Sequence, residues 1–127
     1  MRLHLTDFSE EPLQLQIVRQ LSEKILNGEL DNDTSLPSIR VLAHQAKVSV
    51  ITVQRAYETL ENLGLINARR GKGFYVANIK HDERKQLAIE NFKNKMIPAV
   101  QSAIKEGLST EDIIDTFNSI IKSNTSK

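Results

Sequence analysis

The sequence predicts a mainly α chain with one small β-hairpin, and three observations carry that prediction. Apolar residues recur every three to four positions in five separate stretches, the period of an amphipathic helix. Between the third and the fourth stretch the period falls to two on either side of a glycine-bearing tip, as in a two-stranded ribbon. The connections are short and carry Gly, Pro, Asn, Asp or Ser where a turn needs them.

Leu15, Val18, Leu21 and Ile25 place the first helix over residues 12–26, with Pro12 suited to its first turn and Gly28 to its C-terminal cap. Residues 28–35 read as a loop. Pro37 then opens a short second helix with Ile39, Leu42, Ala43 and Ala46 on one face and a break at Lys47 and Val48. Ser49 is the expected N-cap of a third helix, buried along Val53, Ala56, Tyr57, Leu60 and Leu63 and closed by Gly64. In the hairpin, Ile66 and Ala68 on one arm and Phe74 and Val76 on the other share a face, around a tip at Arg70, Gly71 and Lys72. A lone hairpin is marginal in water, so this one must pack on the helices.

Beyond the charged stretch 80–85, Leu87, Ile89, Phe92, Met96, Val100 and Ala103 return to helical spacing. Pro98 lies inside this pattern, where it removes a backbone donor and crowds the preceding turn, so a kink or break is expected near Ile97. Gly107 ends that helix. Ser109 with Asp112 resembles a capping box, and Ile113, Ile114, Phe117, Ile120 and Ile121 form the last stripe.

With 127 residues the chain has room for one ordinary domain or a small domain plus an accessory element, which excludes a large multidomain enzyme. Hydrophobic residues make up 39% and charged residues 26%, enough to bury a core. The absence of cysteine excludes disulfides, thiolate metal sites and a cysteine nucleophile, and fits a reducing cytoplasm. The first twelve residues lack the apolar segment of a signal peptide, and no run is long enough to span a membrane, so a cytoplasmic protein without membrane contact is expected. His4, His44 and His81 are scattered, and Gly71-Lys72-Gly73 lacks the spacing of a phosphate-binding loop, so neither catalysis, metal nor cofactor is expected.

The net charge of +1 is unevenly divided. Residues 1–35 hold seven acids and three bases, residues 36–80 two acids and seven bases, and residues 81–127 seven of each. A basic block inside a nearly neutral chain suggests a footprint for a polyanion.

Helix, short helix, turn, helix and basic hairpin is the order of a winged helix-turn-helix. In that geometry the start of the second helix of the motif faces base edges in the major groove of a DNA duplex, and the hairpin follows the adjacent groove. Here that start carries Val50, Ile51, Thr52, Gln54 and Arg55. Gln54 suits adenine, Arg55 suits guanine or phosphate, and Val50 and Ile51 suit only thymine methyls or sugars, so readout leans on apolar contact.

Three blocks, Leu36-Pro37-Ser38-Ile39-Arg40-Val41-Leu42-Ala43, Thr52-Val53-Gln54-Arg55-Ala56-Tyr57-Glu58-Thr59-Leu60 and Arg69-Arg70-Gly71-Lys72-Gly73-Phe74-Tyr75-Val76, resemble in order and spacing the GntR family of bacterial transcription regulators. The likeness spans about residues 10–78, and the short remainder resembles the YtrA-like subfamily, whose C-terminal helices dimerise. The resemblance implies DNA contacts at Arg40, Thr52, Arg70 and Gly71 and a phosphate contact at Ser38, with capping as the alternative for Ser38 and Thr52; Arg69 and Lys72 add charge, and Ser49 at the start of the third helix is a further candidate contact. It also implies a repressor and, as in the family generally, a small-molecule effector, for which the sequence offers no pocket. Two segments depart from the family pattern: Asp31–Ser35 replaces a loop that usually contains Pro-Gly, and Ser49-Val50-Ile51-Thr52 replaces the frequent Asn-Pro-Asn-Thr.

The expected organisation is thus a winged helix-turn-helix DNA-binding domain over 1–78 and a helical dimerisation element over 79–127. Phe92, Met96, Val100, Phe117 and Ile121 are its candidate contacts, because so many large apolar groups on a two-helix tail need a cover. The expected partners are double-stranded DNA and a second copy of the chain. The competing expectation is a winged-helix module that docks protein without specific DNA binding.

Overall fold

The computed structural model describes residues 1–125. In order, the elements are α1 (Leu13–Leu26), α2 (Ile39–Ala46), α3 (Val50–Asn62), β1 (Ile66–Arg69), β2 (Gly73–Val76), α4 (His81–Lys105) and α5 (Thr110–Thr125). They divide into two compact units, Met1–Lys85 and Gln86–Lys127. No helix among the described residues is long and apolar enough to cross a membrane.

The first unit is organised around α3, which packs against α1, α2 and β1. Ile17, Leu21 and Ile25 of α1 meet Val53, Ala56, Tyr57 and Leu60 of α3 in a core closed by Leu42, Leu65, Ile66, Val76 and Ile79. The buried face of α1 differs from the expected one. Ile17, Leu21 and Ile25 stand four apart, whereas Leu15 sits about 200° around the helix from Ile17 and is 47% exposed. Leu63 is also exposed rather than buried. It lies past the last turn of α3, at the C-cap, and Leu65 takes its place in the core.

The helix ends follow the caps. Ser38 Oγ accepts the Val41 N–H at 3.2 Å and Ser49 Oγ accepts the Thr52 N–H at 3.1 Å, so α2 starts after Ser38, two residues beyond Pro37. Lys47 ends α2 in the left-handed region, φ 57°, a conformation that releases the chain into the turn before α3.

The hairpin has the expected face-sharing register, Ile66 opposite Val76 and Ala68 opposite Phe74. Its second strand also has a partner that the sequence did not announce. Asp33 N–H donates to the Val76 carbonyl, Val76 N–H to the Thr34 carbonyl and Leu36 N–H to the Phe74 carbonyl, each at 2.9 Å. Residues 33–36 therefore run along β2 as a short third rung, with Ser35 bridging Tyr75. The loop without Pro-Gly is held by the sheet instead.

Two side-chain amides of α1 grip the N-terminal segment. Buried Gln16 donates through Nε2 to the carbonyls of Thr6 and Glu11 and accepts the Thr6 N–H. Gln20, one turn on, exchanges two hydrogen bonds of 2.7 Å with the backbone of His4.

In the second unit α4 runs unbroken through Pro98, so of the kink or break expected near Ile97 the break does not occur. Pro98 and Asn94 are both exposed, and water can satisfy the Asn94 carbonyl that the proline leaves without a donor. The Ser109–Asp112 box is present: Ser109 N–H donates to Asp112 Oδ2 and Asp112 N–H to Ser109 Oγ. These bonds hold the Asp112 carboxyl below its ordinary value, with the Ser109 backbone the larger cause.

Tyr57 is fully buried, its ring edge-on to Phe74 at 4.9 Å and its hydroxyl donating to the Pro37 carbonyl at 2.7 Å. Burial pushes the phenol above its ordinary value, so it remains a neutral donor at physiological pH. Tyr57→Phe keeps the ring but leaves the carbonyl without that donor. It should cost about 1 kcal/mol, read as a lower urea midpoint with unchanged slope.

Candidate nucleic-acid interface

The candidate DNA-contacting residues fall on three connected pieces: the start of α2, the first turns of α3 and the hairpin tip. At the start of α2, Ser38 is committed to capping, while Arg40 is exposed and its guanidinium has no partner among the described residues. On α3, Val50, Ile51, Gln54 and Arg55 are exposed and Thr52 is half-buried. Ser49 Oγ and Thr52 Oγ1 lie 2.8 Å apart, and Gln54 Nε2 donates to Glu58 Oε1 at 3.3 Å. The Arg55 guanidinium is without a partner among the described residues.

The four wing candidates separate into two kinds. Arg70 and Lys72 are exposed and make no ion pair among the described residues, and Gly71 between them has φ 73°, the left-handed conformation that lets the tip turn tightly. Arg69 instead turns back on the protein. Its guanidinium lies 4.2 Å from the centre of the Tyr75 ring and pairs with the Asp33 carboxylate. Asp33 is itself held at φ 64°, so the rung beside β2 presents its carboxylate to the base of the wing. Arg69 was legible as a base and not as a latch, because its partners lie 36 and six positions away with no spacing rule to connect them.

A second latch escaped the sequence altogether. Arg84, in the first turn of α4, donates to the Ile25 carbonyl at the end of α1 and to Asn32 Oδ1. Asn32 Nδ2 in turn donates to the Ile79 carbonyl at 2.8 Å. A cation on the terminal carbonyls of a helix is favourably placed with respect to its dipole.

Residues 13–76 match the family described as bacterial regulatory proteins, gntR family. The chain belongs to the GntR family. It is 32% identical over 112 residues to the uncharacterized HTH-type transcriptional regulator YhcF of Bacillus subtilis, covering 84% of this chain and 88% of YhcF. It is 33% identical to the HTH-type transcriptional repressor YtrA of the same organism, covering 79% of this chain and 68% of YtrA. Among solved structures, a GntR family transcriptional regulator from Listeria monocytogenes superposes with a TM-score of 0.71 at 29% identity, over 91% of this chain and 98% of that one. The AraR DNA-binding domain in complex with operator ORX1 superposes with a TM-score of 0.52 at 30% identity, over 59% of this chain and 93% of that one. The chain is therefore a GntR-family transcriptional regulator with a winged helix-turn-helix DNA-binding domain.

In the second unit, the five apolar candidates Phe92, Met96, Val100, Phe117 and Ile121 all line one groove of about 440 Å³ between α4 and α5. Phe92 and Phe117 approach to 6.1 Å between ring centres. Neither helix has a buried residue among those described, and Phe92 is 50% exposed.

The cap of α3 supports the residues of its first turn, so Ser49→Ala should lower the folding stability by about 1 kcal/mol. Chemical denaturation monitored by circular dichroism reads this loss.

Proposed function

We propose that this GntR regulator is a cytoplasmic homodimeric repressor that binds a palindromic operator. The carrying observation is the GntR match across a folded winged helix whose unpaired bases, Arg40, Arg55, Arg70 and Lys72, lie on the start of α2, the start of α3 and the wing tip. Arg40, Arg55, Arg70 and Lys72 hold phosphates and set the register, while Val50, Ile51, Thr52 and Gln54 in the first turns of α3 face the bases. Ser38 and Ser49 act mainly as caps, which present helix N-termini to the backbone of the duplex. Gly71 lets the tip approach the groove, and Arg69 positions the wing through Asp33 and Tyr75.

Dimerisation through α4 and α5 follows from their exposed apolar groove. An unpaired two-helix unit without a buried residue cannot hold its own core, and a second copy supplies the missing half. Two identical units on a two-fold axis then require an operator with two-fold symmetry. The repressor assignment is supported by the name of the YtrA relative. In this reading residues 1–78 serve DNA binding and residues 79–127 dimerisation, and a small-molecule effector, as is general for the family, would act through the second of these.

Selection from a random duplex library tests the assignment, with the affinity of the winning duplex followed against salt. A palindromic consensus whose affinity falls steeply with salt is the expected outcome, and salt-insensitive binding with no enrichment would overturn it. Arg70→Ala should weaken all duplexes alike and reduce the salt slope by about one, measured by fluorescence anisotropy across a salt series. Ile121→Asp, which puts a charge into the groove, should convert the dimer to monomer in sedimentation velocity at micromolar concentration while leaving the first unit folded.

A further inference from the structure

The start of α3 carries a feature that neither folding nor phosphate contact explains. Val50 and Ile51 are 45% and 49% exposed, side by side in the first turn. β-Branched residues are not favoured in helices on propensity grounds, and neither of these two belongs to the buried core. The polar groups around them are turned on one another. Ser49 Oγ is occupied by the Thr52 N–H and the Thr52 hydroxyl, and the Gln54 amide nitrogen is drawn to Glu58. What the first turn offers outward is therefore largely aliphatic surface.

In the major groove an aliphatic side chain can tell base pairs apart chiefly by one group, the C5 methyl of thymine. Resting on the DNA-binding reading above, we propose that Val50 and Ile51 are the specificity-determining pair and read thymine methyls in each half-site. Arg40, Arg55 and Arg70 supply the affinity that does not depend on sequence. The aliphatic pair gains from desolvating a methyl group and loses nothing by lacking donors, whereas a G·C pair in the same place leaves the amino group of cytosine against an apolar surface.

The test replaces thymine by deoxyuridine, one position at a time, in the duplex enriched from a random library by the full-length protein. This exchange removes the methyl group and preserves every hydrogen-bonding atom. One or two thymines per half-site should each lose about fourfold in affinity, the value of one buried carbon. The same exchange should have no effect on the Val50→Ser/Ile51→Ser double variant, whose fold is checked by its unfolding midpoint. Equal affinity for thymine and uracil at every position would overturn the proposal while leaving operator binding intact. So would a methyl effect that persists in the double variant. A library that enriches nothing, with salt-insensitive binding, would overturn the operator reading and this proposal together.

Discussion

The Tyr57 side chain sits where three pieces of the DNA-binding unit meet, and their mutual placement depends on it. Its backbone belongs to α3, its ring abuts Phe74 of the wing and its hydroxyl reaches the Pro37 carbonyl just before α2. One residue thus ties α3 to the second strand of the wing and to the entry of α2. The ring burial and the edge-on contact supply the attraction, and the hydrogen bond supplies direction. Burial of the ring makes the arrangement stiff, because a phenol that lets go of its acceptor there must find another partner for its hydroxyl.

Around that fixed centre the chain separates residues that shape from residues that touch. Ser38, Ser49 and Arg69 are polar groups in the right places for a duplex, yet each is already bound within the protein, two as caps and one as a latch. Arg40, Arg55, Arg70 and Lys72 remain exposed and unpaired among the described residues. An exposed ion pair such as Arg69–Asp33 contributes little to stability by itself. Stacked on Tyr75 and tied to the rung at residues 33–36, it nevertheless defines the base of the wing.

Much of this fold was legible because local chemistry dictated it. The serine caps, Gly28, Gly64 and Gly107 at helix ends and the period-two arms of the hairpin each act over a few residues, and the order of elements follows from them. The errors came where tertiary context decided. Leu15 fits a helical period but not the face that α3 covers, Leu63 falls beyond its helix, and Pro98 is tolerated because α4 is open to water there. The exposed basic residues were legible as charges, and the apolar lining of the groove between α4 and α5 as a stripe. The latches of Arg69 and Arg84 were not, since each joins segments far apart in sequence through a single side chain.

The two ends of the first unit are secured by bonds of different chemistry. The N-terminal segment is held by the neutral amides of Gln16 and Gln20, which act as surrogate peptide groups and complete what resembles a strand pairing along a helix. The wing is held by a guanidinium and a carboxylate near the surface. Counterions weaken the second grip and leave the first untouched, and neither amide titrates. Rising ionic strength therefore weakens the Arg69–Asp33 pair, while the backbone bonds of residues 33–36 to β2 and the amides that hold the segment leading into α1 keep their place.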